Sequence, residues 1–144
     1  MIAVNTNVLL RGLLDDDVTQ SPKALRLFER VDDVLITDVV LAETVWVLTE
    51  TRYRATRQDI VEVIMGLLEE PRVLFENRQV IWAALNEYAD ANPVRKSGGV
   101  REFGFVDSLI VNKAKAVTKH VGANYRGTFT FDEAAVGIRG TKAA

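Results

Sequence analysis

The chain has 144 residues, 48% of them hydrophobic and 26% charged, with a formal net charge of −2, which suits one globular domain over residues 1–144. No apolar run approaches the ~20 residues that span a bilayer, and the charge gives no global attraction for nucleic acid. With no cysteine and a single histidine, disulfides, thiolate metal sites and a multi-histidine zinc site are excluded, so any metal here is held by oxygen, with Mg2+ or Mn2+ the natural candidate.

The absence of cysteine suits a reducing cytosol. The N-terminus also lacks the basic region and small-residue cleavage site of a secretory signal. A cytoplasmic location without membrane contact is therefore expected.

The chain opens with Met1-Ile2-Ala3-Val4, an apolar run that stops at Asn5-Thr6-Asn7 and resumes at helical spacing. This predicts a buried central strand ending at Asn5 and a short helix capped there. Ligands of open α/β folds bind beyond the carboxyl ends of strands, which is where Asn5 would stand. Asp15-Asp16-Asp17 reads as a solvated loop, because three adjacent carboxylates do not converge on one ion. Ser21-Pro22 predicts a helix start with Ser21 as cap, and Val34-Leu35-Ile36 predicts a second strand.

Asp38 is the expected cap of a helix running through Val39–Leu48. Within it Glu43 has apolar residues three and four positions away on both sides, so its carboxylate is expected on the inward face. An ionised group there is expensive without a cation or hydrogen bonds; a Glu at the core edge, reaching solvent or an Arg, fits the same spacing. Thr56 and Asp59 form a capping pair for a helix to Glu69. Pro71 ends it, a short strand follows at Arg72–Phe75, and a further helix covers about Arg78 to Ala91. Trp46 and Trp82 are expected in the core.

Asn92 to Val100 reads as a loop, basic at Arg95 and Lys96 with Arg101 just beyond: a solvated connection, or one that touches phosphate. Phe103–Val111 opens the last long helix. Asp107 has Ile110 and Val111 three and four residues on, which places its carboxylate inward too, although a helix cap would explain it equally. His120 falls at the helix end. Thr128-Phe129-Thr130-Phe131 alternates like a strand, and Asp132 follows it as Asn5 follows the first, or else caps a helix through Ala134, Ala135 and Val136.

Strands alternating with helices predict an α/β fold with a mostly parallel central sheet flanked by helices. That architecture can bring Asn5, Glu43, Asp107 and Asp132 to one end of the sheet. Clustered carboxylates repel, and a hard divalent cation is the usual reason for such a cluster. A carboxylate nest holding one or two such ions is the equipment for phosphodiester hydrolysis.

In its hydrophobic-x-Thr-Asn opening, "DVVLAETVWVL" with Glu43, "FGFVDSLIV" with Asp107 and "TFTFD" with Thr130 and Asp132, the chain resembles the PIN-domain ribonucleases. The likeness is specifically to the VapC-type toxins of bacterial toxin–antitoxin pairs, and it covers nearly the whole chain. The resemblance implies a single PIN-like α/β/α sandwich and a Mg2+- or Mn2+-dependent endoribonuclease acting on structured RNA such as tRNA or rRNA. It further implies a homodimer and a small cognate antitoxin that occupies the active-site groove, with DNA met only through the antitoxin complex.

One position departs from the family: PIN domains carry Asp where this chain has Asn5. The amide is nearly isosteric but neutral and cannot bind an ion as a carboxylate would. A naturally weakened relative would carry such an amide, and so would a toxin deliberately disabled to spare its expression host. On this reading Glu43, Asp107 and Asp132 hold the metal, Asn5 marks a fourth ligand position, and Thr130 orders the nest, with Thr6 doing likewise at the first strand's end. Arg52, Arg54, Arg95, Lys96 and Arg101 are candidates for phosphate contacts. The chain as written is expected to bind metal weakly and to cleave RNA poorly. A haloacid-dehalogenase-type phosphatase is disfavoured, since both positions of its Asp-x-Asp pattern are amides here, Asn5 and Asn7. A non-catalytic module that binds antitoxin or RNA is the other alternative.

Overall fold

An amide sets the first turn of the fold. Asn5 is extended (φ −90°, ψ 173°), and its side-chain oxygen accepts the Val8 N–H at 3.0 Å. It thereby caps α1 (Thr6–Leu14) directly after β1 (Ile2–Ala3), as expected. The structure, a computed structural model, describes residues 1–30, 32–92, 94–96 and 99–144, with 94–96 and 99–101 described as backbone alone.

The chain forms two compact units, Met1–Arg78 and Gln79–Ala144. In the first, β1, β2 (Val34–Ile36) and β3 (Val73–Phe75) make a parallel sheet in that order, with Ile2 opposite Val34 and Val34 opposite Val73. The middle strand of this sheet is thus β2, not β1. β2 buries Val34 and Ile36, whereas Ala3, in register with half-buried Leu35 on the other face, is exposed.

Helices α1 and α2 (Gln20–Phe28) link β1 to β2, and α3 (Asp38–Thr49) and α4 (Arg57–Glu69) link β2 to β3. Parallel neighbours need such crossovers. Helix α4 starts with the expected capping box: Thr56 Oγ1 accepts the Asp59 N–H at 3.2 Å, and Asp59 accepts the Thr56 N–H at 2.8 Å.

Two predicted caps move. Ser21 lies inside α2 and is fully buried, and the cap oxygen comes from Asp17, which accepts the N–H groups of Gln20 at 2.7 Å and Thr19 at 2.9 Å. A carboxylate two to three residues upstream outcompetes the hydroxyl because it can serve two amides at once. At α3 the cap is Thr37, not Asp38, and Asp38 instead gives its N–H to the Glu76 carboxylate at 2.6 Å. Asp38 still adds negative charge in the first turn, where the helix dipole favours it.

In the second unit, α5 (Arg78–Ala89) buries Val80, Ile81, Ala84, Leu85 and Tyr88, the face read from its spacing. Tyr88 meets Phe105 of α6 (Phe105–His120) edge-on, with ring centroids 6.1 Å apart. Within the expected loop at residues 92–100, β4 (Val94–Lys96) pairs antiparallel with β5 (Gly99–Arg101); positions 93, 97 and 98 of that loop lie outside the described residues. Its ladder is built from main-chain bonds that the basic, non-alternating sequence does not announce.

β6 (Thr128–Thr130) pairs in parallel with β7 (Thr141–Ala143), joined through a 3-10 turn at Ala135–Gly137. Among the described residues the chain has six α-helices, with parallel strand pairing in each unit beside the antiparallel β4–β5 pair, an α/β fold. No described helix is long and apolar enough to cross a membrane.

Candidate functional site

In the first unit the predicted residues meet in one pair. Thr6, in the first turn of α1, gives its hydroxyl proton to the carboxylate of Glu43 on α3. Glu43 itself is exposed, contrary to the inward placement expected for it. α3 buries Leu41, Thr44, Val45 and Leu48 and leaves Val39 74% and Trp46 57% exposed. The helix is apolar on almost every side, so its sequence carries no stripe that marks the core face. Trp46, like Trp82 of α5 at 49% exposure, is therefore not a core residue.

Asn5 spends its side-chain oxygen on the α1 cap. Arg52 lies over the Tyr53 ring at 5.1 Å, and Arg54 gives its Nε–H to the Thr51 carbonyl at 3.2 Å. The acidic triplet divides its work. Asp15 ends α1 in a left-handed conformation (φ 48°), Asp16 pairs with Arg11 at 2.7 Å, and Asp17 caps α2.

In the second unit, Asp107 and Thr130 come together, and Asp132 is bonded to Thr130 just after β6. Asp107 is the third residue of α6, half-buried, and accepts the Gly104 N–H at 2.9 Å. Its capping role thus coexists with a helix that begins two residues before it. Thr130, ending β6, accepts the Asp132 N–H on its hydroxyl at 3.0 Å, and Asp132 in turn accepts the Ala134 N–H at 2.9 Å. Asp132 therefore braces the turn leading into Ala135–Gly137. Asp107 and Thr130 line one depression of about 120 Å³ with Ile110, Val111, Phe129 and Ile138. A larger cavity of about 400 Å³ in the first unit is lined by Leu9, Leu13, Leu25, Phe28 and Leu67, with Glu62 and Glu70 as its charged residues. Its walls are apolar, and it holds none of the predicted site residues.

The donor chemistry of Glu43, Asp107 and Asp132 suits a hard divalent cation: each is a carboxylate with one oxygen fixed by a hydrogen bond. Among the described residues no three His, Asp or Glu side chains are gathered into a group that could hold a metal ion. The side chains of Arg95, Lys96 and Arg101, named as phosphate contacts, lie outside the described residues.

Sequence reasoning missed a buried polar network that joins α5 to α6. Ser108, fully buried, gives its hydroxyl to the Ala84 carbonyl at 3.0 Å, and Asn112 donates to the Glu87 carboxylate at 2.9 Å and to the Ser108 carbonyl at 2.9 Å. Lys115 lies 3.9 Å from Glu87 and donates to the Arg139 carbonyl at 2.6 Å. The signal was present as two polar residues four apart on the apolar face of α6.

No protein-family model matches the chain, and no curated protein matches it. Among solved structures it is similar to that of Mycobacterium tuberculosis VapC20, a sarcin–ricin loop cleaving toxin, at 22% identity over 96% of each chain and a TM-score of 0.40.

Proposed function

We propose that the chain is a PIN-type toxin endoribonuclease, weakened as written by Asn5, with Glu43, Asp107 and Asp132 as its metal-holding carboxylates. The observation that supports this most is local to the second unit: Asp107 and Thr130 share one depression, and the Thr130 hydroxyl holds the amide of Asp132. A threonine that accepts from a backbone N–H is oriented, and the carboxylate that follows it is oriented in turn by its own backbone bond. In the first unit Thr6 performs the comparable service for Glu43.

A bound Mg2+ or Mn2+ would supply polarisation of a phosphate oxygen and hydroxide near neutral pH. The residues of the chain would position it: carboxylates fixed on one oxygen retain the other for a ligand. Asn5 at the remaining position contributes no charge to such a shell. The proposal also carries a single domain, a homodimer, a cognate antitoxin and a structured RNA substrate.

The test is a paired RNA-cleavage assay of this chain and Asn5→Asp with Mn2+, Mg2+ and chelator. Cleavage by the Asp variant alone, abolished by chelator and accompanied by calorimetric Mn2+ binding, is the expected result. Cleavage by both chains at one rate sinks the role given to Asn5.

A second reading is favoured by one observation: the side-chain oxygen of Asn5 is engaged as a helix cap and the group is neutral. A module that binds antitoxin or RNA without cleaving it would need no carboxylate there. Tight partner binding with no metal response in either chain would support it.

A further inference from the structure

Two aromatic rings stand open at the end of β6 in the second unit. Phe129 of β6 is 62% exposed, and Phe131, at the bend directly after the strand, is 92% exposed. Burying either would gain the protein stability, so two exposed phenylalanines within three residues, next to Asp132, have no folding rationale. They are also not alone. Phe129 lines the same depression as Asp107 and Thr130. Across the parallel ladder its partner is Lys142, whose ammonium lies 5.9 Å from the ring centroid. A ring face with a cation beside it matches the two repeating parts of a single-stranded nucleic acid, a base with its π-face and an anionic phosphate.

We propose that Phe129, Phe131 and Lys142 form a stacking platform for unpaired RNA bases flanking the scissile phosphate. The site then selects looped or single-stranded segments over helical RNA. In a duplex the base faces are already covered by their neighbours, so the rings have nothing to stack on. The ammonium of Lys142 beside the Phe129 ring favours an anionic strand over an apolar protein surface as the occupant of this face.

The inference rests on the nuclease reading for the identity of the nucleic acid, but its test does not need cleavage. A fluorescently labelled oligouridylate is titrated in chelator with the full chain, with Phe131→Ala, with Phe129→Ala/Phe131→Ala and with Phe131→Trp, and a blunt RNA duplex serves as comparison. Phe131→Ala should weaken single-strand binding roughly 5- to 150-fold. Phe131→Trp should restore it, duplex binding should not change, and Tm should stay that of the parent because the ring is unpacked. No binding by the parent, or equal binding by the alanine variants, overturns the proposal. So does loss of self-association by sedimentation in the double variant with RNA affinity intact, which would mean that a protein covers these rings. The two readings fail separately. If Asn5→Asp cleaves RNA with a KM indifferent to Phe131→Ala, the platform falls and the nuclease stands. If Phe131→Ala abolishes binding while Asn5→Asp never cleaves, the platform stands and the nuclease falls.

Discussion

Thr6 and Glu43, 37 residues apart in sequence, are joined by a hydrogen bond from the threonine hydroxyl to the glutamate carboxylate. It ties the first turn of α1 to the open face of α3. A hydrogen bond to a charged but exposed group belongs at the modest end of the usual range. A double-mutant cycle of Thr6→Val with Glu43→Gln, read by urea denaturation, should give a coupling of about 0.5–1.5 kcal/mol. Additive effects would show that the pair is not formed in solution.

Asn5 has a structural job that must be separated from any chemical one. Removing the cap with Asn5→Ala should cost about 1 kcal/mol. Asn5→Asp keeps an accepting oxygen and places a negative charge at the positive end of α1, so its stability should equal or exceed the parent's by about 0.3–1 kcal/mol. Urea midpoints of the three proteins decide this. With folding so controlled, any cleavage gained by Asn5→Asp reports the charge at that position.

Thr130 is tested by rescue. Thr130→Ser keeps the hydroxyl that accepts from Asp132, whereas Thr130→Val keeps the shape and loses the acceptor. The valine variant should lose about 1 kcal/mol of stability. In an Asn5→Asp background it should also lose cleavage that the serine variant retains. Equal activity of the two would remove Thr130 from the site.

Acid should destabilise the first unit through its helix caps. The N–H groups of Gln20 and Thr19 hold the Asp17 carboxyl below its ordinary value, and the N–H and hydroxyl of Thr56 do the same for Asp59. The Arg11 guanidinium lowers Asp16 likewise. A depressed folded value means the contribution is complete above the unfolded pKa of about 3.9 and is lost as the pH falls through the folded one. Thermal melts should therefore decline below about pH 4, and Asp17→Asn/Asp59→Asn should decline less steeply. Parallel acid limbs in parent and variant would refute the assignment.

The network between α5 and α6 should be worth more than surface contacts, because Ser108 and Asn112 are withdrawn from water. Asn112→Ala leaves the Glu87 carboxylate without its closest donor and should cost about 1–3 kcal/mol. Ser108→Ala, which removes the hydroxyl shared by the Ala84 carbonyl and, at 3.1 Å, the Glu87 carboxylate, should cost less because Asn112 still donates to Glu87. Urea midpoints, again, rank the two.

Much of the first unit was legible because its signals are local. The β-branched run at Val34–Ile36 and the Thr56–Asp59 capping box both became the expected structure, since a helix cap and its amide lie within three residues. The same locality explains Asn5. Even locally the reading slipped where two capable acceptors competed, as at Asp17 and Ser21 or Thr37 and Asp38.

Among the candidate site residues, type and position came from the sequence, since acids and amides at the ends of elements are visible as such. Tertiary structure decided the rest. Glu43 proved exposed because α3 is apolar nearly all round, and only what packs against it from far along the chain selects its buried face. β7, a Thr-Lys-Ala segment without strand character, exists because its main chain pairs with β6, with Thr128 N–H on the Gly140 carbonyl at 3.0 Å and Ala144 N–H on the Thr130 carbonyl at 2.8 Å. Caps and turns are written in residues a few positions apart, which composition and spacing reveal. Strand pairing and exposure depend on partners distant in sequence, whose approach is settled by packing and main-chain hydrogen bonds that no side chain announces.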